Sequence, residues 1–358
     1  MVPWAYAEQI LYVDLTHRTA RVEPTPIALK QGYIGGAGFV ARLLADSSGD
    51  RAGATPRVAL ATGPLSEEMA GRLAMGAGCL PPRCGGDLSL PGGADPSTGA
   101  GGRRPAFSSM GGRMAAALKG AGFDAVAIDG ELDSPGVLVI EPDGVRVLDA
   151  GYLTGLEVPD AVRELLLGAG PYWANMVLGP AAEKAVPFAT MVHEGHYAGG
   201  SGVACALGAK RLKAVMVRDT QAVPSRCTGC TLACPAKLSP SAGRAGDLGL
   251  DAPTAERLAA WANALVAAGM LPEPVEFLTE LAYRRGVGAI FADGEAAALE
   301  RLGQEAARIL PALPPLKRRG GIGVADLLGT CQRVWRERPG DVLRSALVAT
   351  KGLLADVG

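Results

Sequence analysis

The stretch Val137-Leu-Val-Ile140, Glu141-Pro142-Asp143-Gly144, Val145-Arg-Val-Leu148 decides how the first half of the chain is read. Two short aliphatic, β-branched runs flank a Pro-Asp-Gly turn, which is the pattern of a β-hairpin. Toward the N-terminus, Ile10 to Leu15, Val58 to Thr62 and Ala125 to Ile128 carry the same signal, and Arg113 to Gly120 reads as a short helix closed by glycine. Toward the C-terminus, Ala214 to Val217 is the last strand candidate. Beyond about Asp251 the period changes: Leu258, Trp261, Ala262, Leu265 and Val266 follow helical spacing until Gly269. Pro272 to Arg285, Ala296 to Leu310 and a last piece from about Val342 to Leu354 read as further helices. The expectation is an α+β fold, with a mixed, Gly-rich β-sheet domain over residues 1–217 followed by a largely α-helical domain over residues 218–358.

Composition narrows the classes of function. Hydrophobic residues make up 48% and charged residues 20%, enough apolar material for true cores. A net charge of −1 leaves no basic footprint, which argues against nucleic acid as a partner. No apolar run is long enough to span a membrane, and the N-terminus lacks the basic and apolar regions of a leader, so a cytoplasmic protein is expected. Fifty glycines are about twice the usual share, which points to tight turns and close backbone approaches. Arg83 to Pro105 has no periodicity and reads as a surface loop.

Three glycine-rich segments stand out. Gly35-Gly36-Ala37-Gly38 precedes a short helix at Phe39 to Leu44, and Gly199-Gly200-Ser201-Gly202 precedes a helix from Val203 to Leu212. Ala61-Thr-Gly-Pro-Leu65 with Gly71-Arg72 is the third. Backbone N–H groups at a helix start can receive an anion, and an arginine can grip a phosphate with two hydrogen bonds. Each is also an ordinary turn when read alone; together they describe a backbone-lined pocket for a phosphate-bearing ligand.

The sharpest local motif is Cys227-Thr-Gly-Cys230-Thr-Leu-Ala-Cys234-Pro235. Three thiolates at this spacing can wrap three corners of a cubane, and a fourth commonly comes from far along the chain. Cys331, in Asp326-Leu-Leu-Gly329-Thr330-Cys331, is the best candidate, ahead of Cys79, Cys84 and Cys205. A zinc knuckle is the alternative, but the three histidines, at 17, 193 and 196, are all far from the triplet in sequence. Seven cysteines, an odd number with three clustered, favour a metal site in a reducing compartment over a disulfide framework.

The order of these segments resembles the aldehyde:ferredoxin oxidoreductases. The likeness is carried by Ile10 to Thr16, Tyr33 to Gly38, Ala61 to Leu65, Gly71-Arg72, Gly111-Gly112 through Ala125, Gly179 to Glu183, Pro187 to Thr190, Gly202 to Ala214, the cysteine triplet, Leu248 to Asp251 and Asp326 to Cys331. The resemblance implies a tungsten (or molybdenum) bis-pterin centre beside a [4Fe–4S] cluster that passes electrons to ferredoxin or another iron–sulfur carrier. It implies Cys227, Cys230, Cys234 and Cys331 as cluster ligands, and Arg72 between pterin and cluster. It places Gly35, Gly36, Gly38, Ser109, Gly111, Gly112, Ala198, Gly199, Gly249, Leu250, Asp251, Asp326, Gly329 and Thr330 at the pterin cofactor. A magnesium bridging the pterin phosphates belongs to the same picture, with Ser109 where an Asn is usual.

The departures from the family are specific. Gly246 stands where an acidic or amide residue is usual, Ala37 where an Arg is common, and the segment from His196 to Gly202 lacks two arginines. Only 16 residues separate Cys234 from Asp251, where the family holds a Glu near the metal, and 27 residues follow Cys331, where the family has a domain with an active-site His. The implied reaction is oxidation of a small aldehyde to a carboxylic acid. The alternative is a non-catalytic iron–sulfur electron-transfer or scaffold paralogue, with a homo-oligomer or a partner subunit completing the assembly. His193, Glu194 and His196 are the only ionisable cluster near a glycine segment, and read more simply as a solvated turn.

Overall fold

A computed structural model describes residues 5–45, 55–66, 73–78, 106–167, 169, 172–220 and 240–309, with side chains of 240–242 left out. The first six strands are β1 (Gln9–Asp14), β2 (Thr19–Pro24), β3 (Val58–Ala61), β4 (Leu73–Ala77), β5 (Ala106–Met110) and β6 (Ala125–Asp129). They form one sheet in the order β2-β1-β6-β3-β4-β5, antiparallel except for β1 beside β6. The next six are β7 (Gly136–Glu141), β8 (Gly144–Asp149), β9 (Trp173–Leu178), β10 (Thr190–His193), β11 (His196–Gly199) and β12 (Leu212–Arg218). They form a second sheet, β11-β10-β9-β12-β7-β8, with β12 and β7 parallel. The hairpin expected at Pro142-Asp143 is the β7–β8 pair.

The helices that cover these sheets are α1 (Ile27–Tyr33), α2 (Ala37–Ala45), α3 (Met114–Gly120), α4 (Val158–Leu167), α5 (Pro180–Glu183) and α6 (Val203–Ala209). Alternation along the strands sorts the layers. Val58, Leu60, Met75, Val126 and Ile128 share one buried cluster with Leu138, Ile140, Met176 and Val215 of the second sheet, and with α3 and α6, which lie between the sheets. Ala59, Ala61 and Ala74 point the other way, onto Phe39, Val40 and Leu43 of α2. These residues are small because α2 lies close: a Cβ on Gly76 would come within 2.5 Å of Val40. Val137, Val139, Val177 and Met216 face α4.

The remainder is helical: α7 (Pro240–Asp247), α8 (Ala252–Ala267), α9 (Phe277–Tyr283), α10 (Gly288–Phe291) and α11 (Glu295–Ile309). The apolar face expected from the spacing of α8 is the one it buries, through Leu258, Trp261, Ala262 and Leu265. Trp261 meets Phe291 edge-on at 5.2 Å and donates its indole N–H to Ala306. Arg244 joins this part to the start of α4, reaching Glu157 at 2.5 Å, and also reaches Glu276 before α9 at 2.8 Å.

Three boundaries differ from expectation. The helix from Val203 stops at Ala209, because Arg211 turns left-handed (φ 58°) and starts β12. Pro272 and Pro274 lack amide hydrogens, and α9 begins only at Phe277. Gly303, at φ 81°, kinks α11. The expected loop at Arg83 to Pro105 and the expected helix at Val342 to Leu354 fall outside the described residues. Among the described residues no helix is long and apolar enough to cross a membrane. Trp261→Ala should lower stability by about 3–5 kcal/mol, the usual cost of emptying a buried aromatic site, read as a lower urea midpoint with unchanged slope.

Candidate functional site

Strand register gathers one set of candidates at a single end of the first sheet. Ala61 pairs with Ala74 and with Ala125, and Leu73 pairs with Met110. Thr62, Leu73 and Gly111 therefore leave the sheet together, with the outer two about 10 Å apart across two strand spacings. Gly36 joins them by donating its N–H to the Thr62 carbonyl at 2.8 Å. The N–H groups of Gly35 and Gly38 go to the carbonyls of Tyr33 (2.6 Å) and Gly35 (2.9 Å). These amides, expected to face an anion, are engaged within the protein. Arg72 lies outside the described residues.

Gly111 and Gly112 sit against two histidines. The loop between β10 and β11 is Glu194-Gly195, with both residues at positive φ (47° and 73°), the type I′ geometry of a two-residue hairpin. It sets His193 opposite His196. A Cβ on Gly112 would come within 2.5 Å of the His193 ring, and one on Gly111 within 3.0 Å of the His196 ring. The expected solvated turn holds only for its tip: His193 is 0% and His196 8% exposed.

Both nitrogens of His193 are bonded. Nδ1 lies 2.6 Å from the Asn175 carbonyl, which can only accept, so Nδ1 carries the proton. Nε2 accepts the backbone N–H of Arg113 at 3.2 Å. Burial pushes the imidazole pKa down and keeps the ring neutral, against a smaller opposing pull from Glu194. The Arg113 guanidinium bonds Glu194, Asp219 (3.0 Å) and the Trp173 carbonyl (2.8 Å). His-Glu-Gly-His invites a metal reading, but His193 has no lone pair to give, and no cluster of three or more ligand-type side chains occurs among the described residues.

The second set lies at the other end of the same hairpin. Gly199 pairs with Thr190, about 10 Å of strand away from His196. A Cβ on Gly199 would strike the Ala189 carbonyl, and one on Gly200 would come within 2.9 Å of the Asp251 carboxylate. Leu250 bridges to Ala189, and the Thr190 N–H donates to the Gly249 carbonyl at 2.7 Å. Asp251 caps α8, accepting the Thr254 hydroxyl at 2.7 Å. So Ala198, Gly199, Gly249, Leu250 and Asp251 are brought together, apart from Gly111 and Gly112. The departure at Gly246 has a steric reason: a Cβ there would strike the Tyr197 ring.

Among the described residues, two buried hydroxyls, Ser108 and Ser201, have no hydrogen-bond partner. Ser201 belongs to the turn before α6, and Ser108 to β5, which packs on β11 and α6. An unanswered buried hydroxyl costs about 1–3 kcal/mol, which a polar ligand atom would recover. Ser109 precedes Gly111 on β5. Cys227, Cys230, Cys234, Asp326, Gly329, Thr330 and Cys331 lie outside the described residues, as do Cys79 and Cys84. Cys205 is fully buried in α6 and disulfide-bonded, which removes it as a spare cluster ligand.

Sequence reading missed Arg113, Asn175 and Asp219, since only the fold joins residues so far apart. The Glu-Gly hairpin loop was the one local signal available. Gly112→Ala should destabilise by at least about 2 kcal/mol, because its methyl group meets the His193 ring at φ 93°. Gly155→Ala, at φ 76° with nothing within 4 Å, should lose only about 1 kcal/mol of left-handed strain, so paired denaturation curves separate the two effects.

The geometry can be set beside known proteins. The aldehyde ferredoxin oxidoreductase N-terminal domain matches residues 94–219. The tungsten-containing aldehyde ferredoxin oxidoreductase of Pyrococcus abyssi is 31% identical over 225 residues, 62% of this chain and 34% of that protein. That of Thermococcus kodakarensis is 34% identical over 120 residues, 33% of this chain and 20% of that protein. The aliphatic sulfonate oxidoreductase, WOR-like subunit, of Pyrococcus furiosus is 28% identical over 242 residues, 62% of this chain and 36% of that protein. The chain thus spans about a fifth to a third of the length of the curated relatives it matches. A solved structure, the active site complex BamBC of benzoyl coenzyme A reductase in complex with 1,5 dienoyl-CoA, superposes with a TM-score of 0.66 over 86% of this chain and 64% of that one. At 19% identity it speaks for the fold alone, and agrees with the α+β architecture. Taken with the ordered motifs, these matches show that the chain is similar, over part of their length, to the aldehyde ferredoxin oxidoreductases, most directly to their N-terminal domain.

Proposed function

We propose that the chain forms part of an oxidoreductase of the aldehyde ferredoxin oxidoreductase type, acting on a small aldehyde. The reaction adds water to the aldehyde and yields a carboxylic acid, two protons and two electrons. The observation that carries this reading is the segment over residues 94–219, which matches the family's N-terminal domain and contains both the Gly111-Gly112 and the Gly199 to Gly202 turns.

The described residues fit a polar cofactor at one place. Ser201 offers a buried hydroxyl without a partner among the described residues, inside the second glycine turn. Ser201, Ala198, Gly199, Gly249, Leu250 and Asp251 would hold a pterin there, and Ser109, Gly111 and Gly112 would line its other approach. Ser109 would meet a magnesium on the pterin phosphates. Gly35, Gly36 and Gly38 would contribute close backbone surface, since their N–H groups are engaged. Arg72, Asp326, Gly329 and Thr330 complete the set by resemblance. Cys227, Cys230, Cys234 and Cys331 would ligate a [4Fe–4S] cluster, and a ferredoxin-type carrier would take its electrons. A tungsten (or molybdenum) bis-pterin, when bound, supplies the two-electron chemistry. In this reading residues 1–217 form the pterin-holding part and 218–358 the cluster-holding part.

One observation favours a second reading, a non-catalytic electron-transfer or scaffold paralogue. His193, the most deeply buried titratable ring beside the turns, has both nitrogens engaged within the protein, Nδ1 with the Asn175 carbonyl and Nε2 with the Arg113 amide. Anaerobic purification with metal analysis tests the proposal. The expected result is about four iron atoms per chain, from one cubane, together with tungsten or molybdenum and a pterin. Cys230→Ser should remove most of the iron. Protein with neither iron nor pterin would end the proposal, whereas iron and pterin without aldehyde-dependent dye reduction would select the second reading.

A further inference from the structure

The cluster beneath Gly112 has a charge arrangement that the proposed reaction does not use. Arg113 is one cation set between two carboxylates, Glu194 and Asp219. Neutral His193 adjoins all of this. Its Nε2 takes the Arg113 backbone N–H at 3.2 Å and also lies 3.4 Å from the second Glu194 oxygen. The other groups facing the ring are the Asn175 carbonyl on β9, and His196 across the hairpin, whose ring shares the Gly112 contact.

Only one hydrogen can lie on that side of the ring. In the neutral ring it belongs to the Arg113 amide, and Nε2 is its acceptor. A proton on Nε2 turns the acceptor into a donor, so the ring and the Arg113 N–H then oppose each other. The Glu194 carboxylate, with an oxygen 3.4 Å from Nε2, is then an acceptor within reach. Arg113 keeps Asp219 and the Trp173 carbonyl as partners.

We propose that His193 and Glu194 form an acid-operated latch on the Gly111-Gly112-Arg113 turn: the neutral ring holds the Arg113 amide, and the protonated ring releases it and turns to Glu194. Released, the backbone at Gly112 is no longer fixed against the ring, and the mouth of the first sheet changes shape. The latch is built from the turn and the β10–β11 hairpin, and its test needs no cofactor.

The sign is set by burial. The folded pKa lies below the ordinary imidazole value of about 6.5, so the unfolded chain binds more protons than the folded one just below that value. The contribution of His193 to stability is complete above pH 6.5 and falls as pH drops through it, levelling off below the folded pKa.

The test is a titration of the full chain, labelled with 15N, from pH 8 to pH 4. Long-range proton–nitrogen spectra read the His193 tautomer, and hydrogen exchange, corrected for intrinsic rate, reads protection of the Arg113 amide. We expect the Nδ1–H tautomer with a protected Arg113 at high pH. On ring protonation, Arg113 protection should fall at least tenfold while the Ala117 amide, bonded to the Arg113 carbonyl, stays protected. Glu194→Gln should move the transition to lower pH, and His193→Gln should abolish it. Protonation of His193 with Arg113 protection unchanged would overturn the latch, as would a ring neutral throughout the range in which the chain stays folded. The wild-type titration is decisive by itself, so the latch stands or falls even where a variant fails to fold.

Discussion

Close packing around α6 governs the position of everything else. Its sequence, Val203-Ala-Cys-Ala-Leu-Gly-Ala209, gives a thin helix, and Val203 to Leu207 are all buried. Gly208 marks how tight the fit is, since a Cβ there would strike the Ala182 carbonyl. Small side chains let α6 lie between the sheets in contact with β3, β4 and β5 on one side and β10, β11 and β12 on the other. A helix of ordinary bulk would hold the sheets further apart, because packed interiors leave no slack to absorb added volume. That spacing brings edge strand β5 against edge strand β11, and with it Gly112 onto His193 and His196.

Several of the charges buried in this packing are held by backbone groups. Lys210 donates to the Gly130 carbonyl at 2.8 Å, and Lys119 to those of Ala5 and Gly63. Asp124 accepts the N–H groups of Ala7 (2.7 Å) and Glu8 (2.9 Å) and the Thr25 hydroxyl, while burial pushes its carboxyl pKa up. Lys213 pairs with Glu183 and the Leu156 carbonyl, and burial pulls its pKa down. These contacts pin loops to strand ends, where the chain needs definite geometry and the sheet ladders cannot supply it. The burial of such ions is costly unless each is fully bonded, so a misplaced loop would leave an expensive orphan.

The glycines of these turns serve packing in this chain. Gly112, Gly199, Gly200 and Gly249 each face protein atoms that a side chain would strike. Their occurrence in order along the chain therefore reports a shared fold first. Ser201 is different, because its buried hydroxyl has no partner among the described residues. The Tyr197 ring over Gly246 occupies the space that a larger side chain at 246 would need.

Local pattern alone determined much of the framework. Alternation and turn residues marked β1, β3, β6 and β12 and the β7–β8 hairpin, and helical spacing marked α8, because these signals lie within a few neighbouring residues. The short or buried strands β4, β9, β10 and β11 escaped, since their residues are dictated by the layers on either side and carry no period of their own. The site divided in the same way. Glycine turns and the histidine pair were visible as motifs, but their neighbours were not. His193 depends on Asn175 and Arg113, separated from it by 18 and 80 residues, and Arg113 depends on Asp219, 106 residues away. Hydrogen bonds of that span form only after sheets and helices have packed, so which glycine meets which side chain was decided by the tertiary structure alone.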